Sequence, residues 1–141
     1  MLSALNAANV EYLVVGAYAM AAHGCPRATG DIDFWVRPTK ANAIRVWTAL
    51  QFFGASTSQI SVDDFATLDV VYQIGLAPQR IDILTSISGV EFDDAWKNHV
   101  TADLDGIIAF VISRNDLRRN KISSARPKDI LDVHVLDSHD G

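Results

Sequence analysis

At 141 residues the chain is long enough for one ordinary domain and short for two. Hydrophobic residues make up 49% and charged residues 21%, which excludes a low-complexity or disordered chain and gives a single core enough apolar side chains. The net charge of −5 argues against a general nucleic-acid coat, and the lone cysteine, Cys25, excludes an internal disulfide framework and a cysteine-rich zinc site.

In chain order, residues 2–9 read as a short helix and 11–15 (EYLVV) as a strand. Gly16 breaks the strand, and residues 17–23 are good helix formers that end at Gly24 and Pro26. The apolar run 10–24 carries Glu11 and His23, is too short to span a bilayer and has no basic residue before it. Neither a signal peptide nor a membrane helix is expected, and a cytoplasmic setting fits best. A loop with Arg27 and Thr29 leads into a strand over 32–36. Pro38 and Thr39 signal a helix start, with Thr39 as N-cap, and residues 41–53 carry Ala43, Val46, Trp47 and Leu50 at helical spacing. Residues 55–66 read as a loop with a short helical turn. Residues 68–74 and 80–84 read as a hairpin of strands, 92–98 as a helix, and 107–111 as a strand after the Asp105-Gly106 turn. Two helices over 116–123 and 127–136 end the chain, Pro127 fitting a first helical turn. The order α-β-α-β-α-β-β-α-β-α-α predicts one mixed α/β (α+β) domain over 1–141, a short mixed sheet with helices packed against it and a helical tail.

Asp31 and Asp33 are costly in an otherwise apolar strand unless something neutralises them. Side chains two apart on a strand share a face, so these acids point one way while Ile32 and Phe34 point into the core. In Arg80-Ile81-Asp82-Ile83-Leu84 the same parity sends Ile81 and Ile83 inward and leaves Asp82 on the other face. If the two strands are neighbours, three carboxylates converge. Their mutual repulsion raises their proton affinity, and a hard divalent cation removes the conflict. Two such ions can clamp the attacking and leaving oxygens of a phosphoryl displacement. Gly16, between strand and helix, lets a phosphate approach the backbone. Arg27 and Thr29 share the parity of the acids and line the same face if the segment is extended; surface exposure of Arg27 is an equal alternative. Trp35 also has that parity and reads as packed under a helix or as an apolar wall.

Six of the twelve Lys and Arg residues fall between positions 114 and 128: Arg114, Arg118, Arg119, Lys121, Arg126 and Lys128. Such a run is either a solvated helix surface or a local basic face that meets phosphate. Asp129 and Asp132, three apart on a helix, are expected to anchor basic side chains of the tail rather than a metal. Cys25 reads as a packed thiol, and the histidines lack ligand spacing.

The string EYLVVGAYAMAAHGCPRATGDIDFWV resembles the core motif of the DNA polymerase β-like nucleotidyltransferase superfamily. It looks most like the branch of AbiEii-type toxins and related small bacterial proteins. That branch has a strand, Gly-Gly or Gly-Ser, a helix ending near His-Gly, then Arg-x-Thr-x-Asp-x-Asp. The matching residues are Gly16, His23, Gly24, Arg27, Thr29, Asp31 and Asp33. The tail NKISSARPKDILDVHVL resembles the same branch through Lys121, Arg126, Lys128, Asp129 and Asp132.

The resemblance implies a metal-dependent transfer of a nucleotide from an NTP such as ATP to an acceptor hydroxyl. Asp31, Asp33 and Asp82 would hold two Mg²⁺ ions, with Mn²⁺ as the other candidate, and Asp82 would be the base for the acceptor. Gly16, Ala17, Arg27, Thr29 and Lys121 would contact the nucleotide. The acceptor would be RNA, such as a tRNA end, or a partner protein, with a small antibiotic as a third option. Toxin-antitoxin or phage-defence context follows from the same likeness, and the short chain leaves little room for a separate acceptor-recognition domain, which favours a homodimer or a toxin-antitoxin partner. One departure matters: Ala17 stands where the superfamily often has Ser or Gly. Losing a hydroxyl donor to a charged group costs about 1.5–3 kcal/mol. The rival expectation is therefore a catalytically weak nucleotidyltransferase-fold protein that acts as a binding module. A plain RNA binder is a third.

Overall fold

The computed structural model describes residues 1–26, 30–76 and 79–138. Its elements are α1 (Leu2–Ala7), β1 (Tyr12–Val15), α2 (Gly16–Ala22), β2 (Ile32–Val36), α3 (Lys40–Phe53), a 3₁₀ turn (Val62–Ala66), β3 (Val71–Ile74), β4 (Ile81–Leu84), α4 (Phe92–Asn98), β5 (Val100–Leu104), β6 (Ile107–Val111), α5 (Arg114–Ser124) and α6 (Pro127–Ser138). The six strands form one mixed sheet in the order β3-β4-β2-β1-β6-β5. This is the expected α/β class.

The centre of the sheet follows from composition. Every residue of β1 is buried, and its sequence, YLVV, suits a strand covered on both faces. It pairs antiparallel with β2 and parallel with β6. Tyr12 and Val14 pair with Val36 and Phe34, so these four side chains share one face. Leu13 and Val15 lie opposite Trp35 and Asp33 on the other. Tyr12 packs edge-on against Phe34, with ring centroids 5.6 Å apart, and Trp35 packs on Phe92 of α4 at 5.0 Å. The parity of β2 thus sorts its residues between two packed layers.

Parallel pairing of β2 with β4 requires a crossover, which α3, the 3₁₀ turn and β3 supply. Helix α3 starts as expected, with the Thr39 side chain accepting the Asn42 N–H, and stops at Gly54 in the left-handed region, φ 88°. Buried Asn42 ties this crossover to the sheet. Its amide donates to the Glu11 and Arg37 carbonyls at 3.0 Å, and its side-chain oxygen accepts the Glu11 N–H at 2.8 Å.

Three differences from expectation have a visible physical cause. Strand β5 is one that the pattern does not predict, because Thr101 and Asp103 make VTADL look polar; it is an edge strand that faces water. Its hairpin with β6 turns through Asp105 and Gly106, both at positive φ (53° and 87°). Strand β3 is shorter than residues 68–74, because Asp69 takes φ 64° and gives its N–H to Ser86 Oγ. Helix α5 starts at Arg114 rather than 116, capped by the Ser113 side chain accepting the Asp116 N–H at 3.1 Å. Among the described residues no helix is long and apolar enough to cross a membrane.

Candidate functional site

Two neighbouring strands bring the acids together. Strands β2 and β4 run parallel with Asp33 opposite Asp82, and Asp31 lies just before β2. Three of the residues expected to form a site therefore converge, because the two strands are neighbours. Burial pushes the Asp33 carboxyl up to about 6; the charges of Asp82 and Asp31 and a hydrogen bond with Asp82 add to this, against the pull of Arg80.

Gly16 is the fourth member, and its lack of a side chain is a spatial requirement. It sits at φ +70°, and a Cβ there would fall on the Asp33 Oδ2 atom. Gly16→Ala is expected to cost at least about 1–2 kcal/mol from the left-handed backbone alone, and to push Asp33 away from Asp82. A thermal melt checks the first part, and an unchanged melting temperature would refute it.

Arg80 has no role in the sequence reading. In the fold its Nε donates to Asp82 Oδ1 at 2.9 Å, and its second guanidinium nitrogen lies 3.2 Å from Asp82 Oδ2 and 3.4 Å from Asp31 Oδ2. Its backbone N–H donates to Asp31 Oδ1 at 3.3 Å, and its carbonyl accepts the Ile32 N–H at 3.0 Å. A signal for it exists: Arg80 and Asp82 are two apart at the start of a strand, the spacing that places side chains on one face.

The donor set suits a hard cation in kind. Three carboxylates converge, and the Asp33 carboxyl is pushed up chiefly by burial and further by the charges of Asp82 and Asp31, against the pull of Arg80. As the side chains stand, no group of three His, Cys, Asp or Glu among the described residues is spread as a ready cation cage, and Arg80 is bonded to two of these three acids.

The Asp33 shift has a measurable consequence in EDTA. A carboxyl whose folded pKa is raised favours the fold when protonated. That contribution is complete below the ordinary value of 3.8 and is lost as pH rises through about 6. Asp33→Asn keeps the neutral form at every pH. It is expected to be more stable than the parent at pH 8 by roughly 1–2 kcal/mol, after discounting for partial exposure, and to match it near pH 4. Paired denaturant titrations at the two pH values test this; equal stability at pH 8 would contradict it.

Beside the carboxylates a groove of about 1000 Å³ runs past Gly16, Asp33 and Trp35 to the 85–93 segment and the α5 wall. Trp35 is buried, packs on Phe92 at the start of α4, and lines the groove. Lys121 and Arg126 lie on the α5 side of the groove. Lys121 is buried, 3.0 Å from Asp132 and 3.4 Å from Asp129. Burial lowers its pKa, while the Asp129 charge opposes that. Burial works to raise the Asp129 carboxyl, but hydrogen bonds from Arg126 and Ser124 and the Lys121 charge outweigh it and hold it well below the usual carboxylate range. Asp129 and Asp132 thus anchor basic side chains, as expected. Much of the basic run is matched in the same way: Arg118 pairs with Asp137, Arg119 with Asp116, and Arg126 with Asp129. Ala17 occupies the first turn of α2, and Arg27 and Thr29 lie outside the described residues.

No family profile matches the chain, and no curated protein matches it. Solved structures do. The antibiotic-resistance factor ANT(2″)-Ia in solution superposes with a TM-score of 0.64 at 14% identity, over 99% of this chain and 80% of that one. Its crystal structure in complex with adenylyl-2″-tobramycin gives a TM-score of 0.62 at 14% identity, over 99% and 85%. TM1012 of Thermotoga maritima, described as a candidate nucleotidyltransferase, gives 0.60 at 14%, over 97% and 86%. The chain has the nucleotidyltransferase fold.

Proposed function

We propose that this protein is a metal-dependent nucleotidyltransferase that moves a nucleoside monophosphate from an NTP to an acceptor hydroxyl. The observation that carries this reading is the Asp33–Asp82 register across β2 and β4, with Asp31 beside them and side-chain-free Gly16 against Asp33. Asp31, Asp33 and Asp82 would hold Mg²⁺. Bound Mg²⁺ supplies charge neutralisation and Lewis-acid polarisation to the phosphoryl group. The triphosphate would lie against the backbone at Gly16 and Ala17. The acceptor hydroxyl gives its proton to an Asp82 carboxylate oxygen as its own oxygen bonds to the α-phosphorus. The bond from that phosphorus to the bridging oxygen breaks, and pyrophosphate leaves.

The acceptor would lie in the groove beside Trp35. One structural neighbour was solved with an adenylylated aminoglycoside, so a small hydroxylated acceptor joins RNA ends and partner-protein side chains as a class to test. The matched charges of the 114–128 run give an RNA acceptor less support than the sequence suggested. AbiEii-type toxin-antitoxin context rests on the tail and Arg-x-Thr-x-Asp-x-Asp resemblance. A second reading, a catalytically weak binding module, draws on Ala17 and on the Arg80 bridge across Asp82 and Asp31.

The test is label transfer from each of four α-labelled NTPs with Mg²⁺ or Mn²⁺. Acceptors would be cell RNA, cell protein and a panel of aminoglycosides. Transfer that disappears in Asp31→Ala and Asp33→Ala supports the enzyme. Absence of transfer to every acceptor, together with no measurable Mg-NTP binding, favours the binding module.

A further inference from the structure

Arg80 is placed to compete for the carboxylate site rather than simply to decorate it. Its guanidinium is bidentate on Asp82 and reaches Asp31, two of the three convergent acids. Such a pair has the planar fork geometry that matches a carboxylate, with both Asp82 oxygens engaged. The backbone of Arg80 is held independently of its side chain, by its N–H on Asp31 and its carbonyl on Ile32. The Arg80 side chain is about one-third exposed, which gives it a route toward solvent, whereas Asp82 is buried and cannot follow it. One end of this ion pair is fixed and the other is free to go.

We infer that Arg80 is the resident counter-ion of the carboxylate pocket, and that its guanidinium and a divalent cation are alternative occupants of Asp82 and Asp31. In the metal-free protein Arg80 screens Asp82 and Asp31 from one another. When a divalent cation enters, the guanidinium gives up the same oxygens and is released at the rim of the pocket. Its charge is then available to an incoming polyanion such as a polyphosphate. The arrangement makes metal affinity lower in the free protein than the three carboxylates alone would give. This inference rests on the reading of Asp31, Asp33 and Asp82 as a cation site.

The experiment titrates the full chain with Mn²⁺, without nucleotide, and counts free Mn²⁺ by its electron paramagnetic resonance signal. Arg80→Met is expected to bind Mn²⁺ about tenfold more tightly than the parent, since no charged hydrogen-bonded pair has to open first. Arg80→Lys, which keeps the charge but loses the fork, is expected to fall between them. Asp82→Asn in the Arg80→Met background is expected to remove the gain. Should Arg80→Met prove too unstable to purify without metal, Arg80→Lys carries the comparison alone. Equal or weaker Mn²⁺ binding by both variants overturns the competition while leaving the carboxylates as a metal site. No Mn²⁺ binding by the parent or by either variant overturns the competition and the metal-site reading together.

Discussion

Lys121→Ala is expected to lower the unfolding free energy by about 3–5 kcal/mol, the usual cost of removing one partner from a buried ion pair. Lys121 is enclosed between α5 and α6, with Asp132 at 3.0 Å and Asp129 at 3.4 Å. Asp129 would keep its bonds from Arg126 and Ser124, and Asp132 would lose its 3.0 Å contact with Lys121. Asp132→Asn in the Lys121→Ala background is expected to recover part of the loss, because it removes a buried charge that Lys121 had faced. Chemical denaturation of the two variants against the parent checks both statements; a loss under about 1 kcal/mol, the size of a surface pair, would mean that Lys121 is solvated. Acid acts on the same cluster. The Asp129 pKa is depressed, so its contribution is present above the ordinary carboxylate range and is lost as pH falls toward the folded value. The helical pair is therefore expected to loosen in strong acid, readable as lost helical circular dichroism.

Asp82→Asn is expected to abolish label transfer, with a fall of at least about 10²–10³-fold, as for the loss of one preorganised electrostatic group. The same change removes a charge beside Asp33 while leaving an amide oxygen for Arg80, so stability is expected to hold or rise. That combination separates a functional acid from a structural one. A structural Asp82 would show the opposite pattern, with reduced stability and transfer falling only in proportion to the folded fraction. The measurement pairs single-turnover transfer with a melt in EDTA. It uses whichever NTP and acceptor the label-transfer screen identifies.

The two sides of this protein are not equally legible. Strand β2, helix α4 and strand β6 lie where the hydrophobic pattern places them, and the alternation in DIDFWV is enough to sort acids from core residues. Strand β5 escapes that pattern because an edge strand facing water need not be apolar, although the Asp105-Gly106 turn is the visible half of its hairpin. The start of α5 escapes it because Ser113 caps the helix upstream of the acidic signal at Asp116. Asn42 escapes it because its three hydrogen bonds reach the ends of two strands that only the fold brings to it.

Sequence by itself determined the local half of the site: Asp31 and Asp33 on one face, Asp82 on the face of its strand opposite Ile81 and Ile83, and a glycine at the end of the first strand. These follow from the two-residue period of a strand, which is fixed by backbone geometry. The tertiary structure decided the rest. It set β2 beside β4 in a register that puts Asp33 opposite Asp82, brought Gly16 against Asp33, and laid Arg80 across Asp82 and Asp31. It also paired much of the basic run with its own acids and buried Lys121 among them. Pairing and register depend on which apolar faces bury each other across the whole sheet, a property that no short stretch of sequence contains.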